Sequence, residues 1–213
     1  DYRPNSTVWQ IEENGTTWST DGARAESVRA KFILLATGAM ERPMPIPGWT
    51  LPGVMTAGAA QILLKSAGMV PTGRTIVAGA GPLLLLVADQ LIRAGAPPVC
   101  VIETTKIADY LRALPSLPRA LRGVSYLRKG LAMRRRIKAA GVPLIGGASE
   151  LHVLGRDKAE GFCFTLGGQT REIAVDTVLL HHGVVPNTQA SRQLRLAHHW
   201  DSQQRYWQPA TDQ

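Results

Sequence analysis

The chain has 213 residues, 45% hydrophobic and 19% charged, with 24 Lys and Arg against 16 Asp and Glu and a formal net charge of +8. That length accommodates one or two domains and a core that removes about 70% of the unfolded surface from water, and the composition excludes a disordered or acidic-tail protein. Its 21 Gly and 14 Pro follow no period, which excludes collagen and points to many tight turns, while the positive charge raises nucleic acid or a membrane surface as partners.

Residues 1–35 read as β structure. Thr7-Val8-Trp9-Gln10-Ile11 is a β-rich run, Asn14-Gly15 and Asp21-Gly22 are tight-turn signals, and Val28 to Leu35 ends in the apolar Phe32-Ile33-Leu34-Leu35, the pattern of a buried strand. Residues 41–54 form a proline-rich strap, ordered but irregular because each proline fixes φ. Thr56 is placed to cap a helix over Ala57–Ala67, with Gly68 as its stop.

Thr75-Ile76-Val77-Ala78, the turn Gly79-Ala80-Gly81-Pro82, a helix over Leu83–Ala94 ended by Gly95, and Val99-Cys100-Val101-Ile102 leading to Glu103 compose a βαβ unit. The sheet is therefore expected to be parallel. Residues 104–141 read as helix or loop with an approximate stripe of Leu127, Leu131, Ile137 and Ala140, and Val142 to Ile145 as a third strand. Leu151–Leu154, Phe162–Leu166 and Ile173–Leu180 are three further β pieces, the last two joined by a Gly167-Gly168 hairpin. Past Pro186 the pattern weakens.

The longest apolar stretch, Ile76–Ala88, has 13 residues interrupted by two glycines and a proline, which is too short to span a bilayer. Cys100 and Cys163 form no CxxC pair, so neither a disulfide framework nor a cysteine zinc site is expected, and the location expected is reducing and cytoplasmic. The opening Asp1-Tyr2-Arg3-Pro4 lacks Met and a signal peptide, which suggests a piece of something longer.

The chemistry-bearing turn is Gly79-Ala80-Gly81-Pro82-Leu83-Leu84. Its first glycine permits a sharp turn and its second lets backbone approach a pyrophosphate, which the helix N-terminus then faces. Glu103 lies 22 residues after Gly81, at the end of the next strand, where a carboxylate accepts hydrogen bonds from an adenosine ribose and repels a 2′-phosphate, favouring NAD over NADP. Leu84 replaces the third fingerprint glycine. The competing reading is a βαβ unit that keeps the turn and has lost or changed its ligand. Ala36-Thr37-Gly38 and Gly183-Val184-Val185-Pro186-Asn187-Thr188 are small-residue turns at the carboxyl ends of other strands, where α/β ligands sit.

The order Ala-Thr-Gly, GxG after a strand, then Gly-x-x-Pro-Asn-Thr resembles the two-dinucleotide flavoproteins of the pyridine nucleotide–disulfide oxidoreductase superfamily. Ala36-Thr37-Gly38-Ala39-Met40-Glu41-Arg42-Pro43, the strap from Pro47-Gly48-Trp49-Thr50 to Gln61, and Gly79 to Ala88 are similar to one branch. That branch contains opine oxidase A subunits, the flavoprotein subunit of hydrogen cyanide synthase and amino-acid dehydrogenase A subunits, with the sarcosine oxidase alpha subunit more distant. Leu84 fits the branch, where the third glycine is commonly replaced.

The resemblance implies a Rossmann-like α/β fold, with a NAD-type domain of parallel sheet plus β-meander inserted in an incomplete FAD domain. Residues 1–45 would be the meander and last strand of a first FAD segment, 46–72 the strap and helix, 73–180 the NAD(P)-type domain and 181–213 the return into the FAD domain. It further implies FAD, with a site incomplete in this chain because its fingerprint would precede Asp1 and its Gly-Asp motif follow Gln213, and NAD(H) or another adenine nucleotide. The nucleotide residues would be Gly79, Ala80, Gly81, Pro82, Leu83 and Glu103, and the flavin side would be Ala36, Thr37, Gly38 and Gly183.

Three functions share these features. One is an electron-transferring subunit of an amino-acid or amine dehydrogenase or oxidase; its partner would be a second flavoprotein subunit, where the small-molecule amine is oxidised. The others are a stand-alone flavin NAD(P)H reductase of an electron carrier and a non-catalytic nucleotide-binding assembly subunit. In the first two the cofactor carries the hydride chemistry and protein groups position it. No catalytic side chain is assigned, and this chain alone is expected to be inactive. Cys100, mid-strand, reads as core and Cys163 as structural. The pairs His181-His182 and His198-His199 are poor chelates, since neighbours on a strand face opposite ways, and no metal is expected.

From Tyr110 to Ser149 the only charges are Arg112, Arg119, Arg122, Arg128, Lys129, Arg134, Arg135, Arg136 and Lys138. Tyr110 and Tyr126 are the only aromatics there, too few for a stacking platform. A solvated helix face or a subunit contact is therefore favoured over nucleic acid.

Overall fold

The computed structural model describes residues 2–116 and 123–210, which fall into two compact units, Asp1–Met40 with Val184–Gln213, and Glu41–Gly183. In the first, β1 (Thr7–Ile11), β2 (Thr16–Thr20) and β3 (Ala25–Arg29) pair antiparallel in that order. Gly15 is required at its turn: φ is +84° and a Cβ there would lie 2.4 Å from the Ala30 carbonyl oxygen. The expected buried strand ending at Leu35 does not form. β3 ends at Arg29, no strand of the described residues pairs with Phe32–Leu35, and Phe32 and Leu34 are 93% and 92% exposed. Apolar side chains do not make a buried strand without neighbours to satisfy its backbone groups. β4 (Ala39–Glu41) follows.

The second unit begins at Glu41, the last residue of β4, and continues with β5 (Val54–Thr56), α1 (Ala57–Ala67), β6 (Thr75–Ala80), α2 (Pro82–Arg93), β7 (Cys100–Glu103), α3 (Ile107–Ala113) and a 3-10 turn. After the undescribed residues come α4 (Val124–Ala139), β8 (Leu144–Gly146), β9 (Ser149–Leu154), β10 (Gly161–Leu166), β11 (Gln169–Ala174) and β12 (Thr177–His182). The chain then returns to the first unit as β13 (Val184–Pro186), α5 (Gln189–Gln193), β14 (His198–Asp201) and β15 (Tyr206–Pro209). As the spacing predicts, the Thr56 hydroxyl accepts from the Ala59 N–H at 3.2 Å, and Gly68 ends α1 at φ +65°.

The five-stranded sheet has the order β5-β12-β6-β7-β8 and is parallel throughout. Alternation along each strand sorts its side chains into two cores. Ile76, Ala78, Cys100, Ile102, Val178 and Leu180 meet Val153, Phe162 and Phe164 of the antiparallel β9–β10–β11 meander. Val77, Val101 and Leu179 meet Ala57, Ala60, Leu84, Val87, Leu91 and Ile137 of the helices. The result is three layers, helices over parallel sheet over meander, which is the Rossmann-like α/β class that the resemblance implies, with the parallel sheet that the βαβ pattern predicts. Each fully buried Leu, Val or Phe in these layers contributes about 1.5–3 kcal/mol. Burial pushes the Cys100 thiol up to about 11, as a core residue rather than a nucleophile.

Two sequence expectations change here. Ile173–Leu180 is two strands, not one: β11 ends at Ala174, the Asp176 carboxylate accepts from the Arg74 N–H at 2.7 Å, and β12 starts at Thr177 in the other sheet. The α4 stripe of Leu127, Leu131, Ile137 and Ala140 also fails, since only Ile137 is buried. Gly130, Met133 and Ile137, spaced i, i+3, i+7, turn inward and leave Leu127 and Leu131 42% and 57% exposed.

Asp89 is the charged group inside the helical layer, 1% exposed. Arg93, one turn on, reaches it at 2.8 Å, and Arg136 of α4 donates Nε to Oδ1 at 2.5 Å and Nη2 to Oδ2 at 3.1 Å. The hydrogen bonds from Arg136 hold its carboxyl below the usual carboxylate range against the opposing effect of desolvation. A depressed folded-state value means stability that is fully present above the unfolded pKa of about 3.9 and is lost as pH falls through the folded value. Asp89→Asn is expected to cost about 2 kcal/mol at pH 7 and to flatten the acid limb below pH ~4, read from urea midpoints at pH 7 and 3.5.

Candidate nucleotide site

The carboxyl ends of the parallel strands place two of the predicted residues, Gly79 and Glu103, in one row with His181. In register across the sheet, His181 of β12 faces Gly79 of β6, which faces Glu103 of β7. The sheet order reverses between β12 and β6, so this row lies at the switch point where α/β folds open a crevice. By strand alternation Glu103 and His181 flank Gly79 on the helix face, from which α2 departs.

Gly79 has φ +133°, and a Cβ on it would lie 1.8 Å from the His181 carbonyl oxygen. Its absent side chain is therefore demanded by strand contact as well as by the turn. Gly81, φ +106°, precedes Pro82 at the start of α2, and no side chain caps that N-terminus. Ala80 and Leu83 flank the loop half-buried, and Leu84, in place of a third glycine, is fully buried in the helical layer. The Thr104 N–H closes the loop's other side on the Gly79 carbonyl at 2.8 Å. A glycine cradle under an uncapped helix N-terminus fits a phosphate-bearing group.

Glu103 is buried and ion-paired: its Oε2 accepts from Arg134 Nη2 at 2.6 Å, and Arg134 lies 3.3 Å from the Tyr110 hydroxyl. Oε1 has no protein donor among the described residues. At the other end of the row, His181 is 3% exposed and its Nδ1 lies 2.6 Å from Glu41 Oε1, while Glu41 Oε2 accepts from the Gly58 N–H at 2.8 Å. Burial pushes the Glu41 carboxyl up, but hydrogen bonds from His181, Thr56 and Gly58 outweigh it and hold the group below its ordinary range. Glu41 and Arg134 escape sequence reasoning because their partners lie far along the chain. His181 is visible in the sequence only as half of a histidine pair.

Within the basic stretch Arg134 and Arg136 ion-pair with the buried Glu103 and Asp89; Arg128, Lys129, Arg135, Arg136 and Lys138 are exposed, and Arg119 and Arg122 lie outside the described residues. Among the described residues no three His, Cys, Asp or Glu side chains converge to hold a metal, and no helix is long and apolar enough to cross a membrane.

Gly183 lies in the same unit, with φ +87° and its carbonyl accepting from the Arg42 N–H at 2.9 Å. Ala36, Thr37 and Gly38 lie in the other unit. There the Thr37 hydroxyl donates to the Asn187 carbonyl at 3.1 Å and the Asn187 N–H donates to the Gly38 carbonyl at 3.1 Å. Ala36 and Thr37 line a cavity of about 490 Å³ with Trp9, Ile33 and Gln189.

The chain is 40% identical to the opine oxidase A subunit of Rhizobium meliloti over 220 residues, covering 100% of this chain and 41% of that one. It is 34% identical to the hydrogen cyanide synthase subunit HcnB of Pseudomonas aeruginosa over 206 residues, 93% of this chain and 44% of that one. It therefore spans less than half the length of these relatives. A solved FAD-dependent pyridine nucleotide-disulphide oxidoreductase from Desulfovibrio vulgaris shares the fold with a TM-score of 0.59 at 17% identity, over 93% of this chain and 47% of that one. The model of the pyridine nucleotide-disulphide oxidoreductases matches residues 2–205, and the chain belongs to that family.

Proposed function

We propose that this chain is the nucleotide-binding part of an electron-transferring FAD/NAD(P) oxidoreductase subunit, in a multi-subunit dehydrogenase or oxidase of opine-type amines or amino acids. The observation that carries the reading is the row His181–Gly79–Glu103 at the switch point, with the glycine loop beneath the uncapped start of α2. The similarity to subunits of named oxidases and synthases supports the multi-subunit setting and the amine class. A bound flavin would supply the electron chemistry, and a nicotinamide or other adenine dinucleotide would bind at the glycine loop. Gly79 to Leu83 would seat its pyrophosphate, and Glu103 Oε1 would accept from the ribose while Arg134 holds Oε2. Ala36, Thr37 and Gly38 are the turn this chain would lend to a flavin site.

The test is anaerobic flavin reduction by the intact protein, alone and with its co-purifying subunit. An opine or amino acid should bleach the flavin only in the complex, and NADH alone should not. Full bleaching by NADH in the isolated protein would replace this reading with a stand-alone reductase.

A further inference from the structure

We propose that His181, oriented by Glu41, is a phosphate-binding residue of the nucleotide crevice, and that the dinucleotide binds together with one proton taken up at its Nε2. The inference rests on the dinucleotide reading above and adds a ligand and a proton to it.

The geometry has three parts. His181 is 3% exposed, and its Nδ1 is committed to Glu41 Oε1 at 2.6 Å. Glu41 is ionised, sitting at the amino end of α1 where the Gly58 N–H and the helix dipole favour negative charge. An ionised carboxylate makes Nδ1 the protonated nitrogen, so in the neutral ring Nε2 carries a lone pair. The ring edge lies against the loop: a Cβ built on Gly81 would be 3.4 Å from both Nε2 and Cδ2. Nε2 has no hydrogen-bond partner among the described residues. A buried imidazole with one nitrogen engaged and the other directed at an uncapped helix N-terminus is built to meet an anion.

The proton follows from the lone pair. A phosphate oxygen repels neutral Nε2 and attracts it once protonated, so the anion drives the uptake of one proton from solvent. The imidazolium is then held between Glu41 and the pyrophosphate, with both N–H groups donating. The charged and titratable groups around His181 are Glu41 from β4, His182 on the outward face of β12, Arg42 beside His182, and Glu103 with Arg134 beyond Gly79. β5 (Val54–Thr56), β6 (Thr75–Ala80) and the first turns of α1 and α2 carry no charged or titratable side chain.

The experiment is calorimetric titration of the intact protein with NADH, whose pyrophosphate does not itself titrate between pH 6.5 and 8.5. It is run in two buffers of different ionisation enthalpy. Uptake of about one proton is expected at pH 8, with affinity falling as pH rises across the range, by at most about tenfold per pH unit. His181→Gln keeps a donor but no titration, so its affinity should change less than about twofold over the range, with no proton uptake. Glu41→Gln should shift the wild-type profile to lower pH.

Because proton uptake is read on the wild type, a variant that fails to fold leaves the test intact. Tight, pH-independent NADH binding without proton uptake would overturn this inference and leave the dinucleotide reading standing. A wild type that binds neither NADH nor NADPH overturns both.

Discussion

Gly79→Ala should lower the unfolding free energy by about 3 kcal/mol or more and abolish nucleotide binding. The new Cβ would be placed 1.8 Å from the His181 carbonyl oxygen, on backbone that cannot swing aside. β6 and β12 must separate at the switch point or the loop must be rebuilt, and the positive φ adds its own strain. Gly147→Ala is the control for that strain. Gly147 also has a positive φ, +81°, but nothing lies within 4 Å of its missing Cβ, so a loss of only about 1 kcal/mol is expected. Urea unfolding of both variants separates close approach from conformation. Equal losses would show that strand contact is not what demands glycine at 79.

Glu103→Ala should shift preference from NADH toward NADPH by about 100-fold. The carboxylate both repels a 2′-phosphate and occupies Arg134 at 2.6 Å. Removing it frees a guanidinium that is 39% exposed, at the end of the row where the proposed site would take the ribose. Relief of repulsion together with a charge-assisted bond to phosphate is worth about 3 kcal/mol. Arg134→Ala should move preference the opposite way, because Glu103 then faces the ribose without a neutralising cation. The readout is the ratio of dissociation constants for NADPH and NADH in each variant. Parallel shifts in both variants would mean that the pair does not face the 2′ position.

Local chemistry explains what is legible in the sequence. Thr56 and Gly68 bracket α1 as the capping rules require, Gly167-Gly168 makes the β10–β11 hairpin, and Ile76 to Glu103 folds as a βαβ unit. Features decided by distant partners are not legible there. Phe32–Leu35 has the composition of a buried strand, but no strand of the described residues pairs with it. Leu127 and Leu131 look like a helix stripe, yet α2 selects Met133 and Ile137. The β14–β15 hairpin rests on Asp201, whose carboxylate accepts from the Gln203 and Gln204 N–H groups, and on the Trp200–Trp207 pair, not on an alternating pattern. At the site, Gly79, Gly81 and Glu103 stand out because they are near in sequence. Glu41 and His181 are 140 positions apart, and only the parallel sheet puts them together.

Hydrogen–deuterium exchange of the intact protein with and without saturating NADH tests the central claim most directly. Protection confined to Gly79–Leu84, Glu103–Thr105 and His181–Gly183 is the predicted result, because those segments form the crevice at the switch point. Unchanged exchange at all three, or protection only elsewhere in the chain, would contradict it.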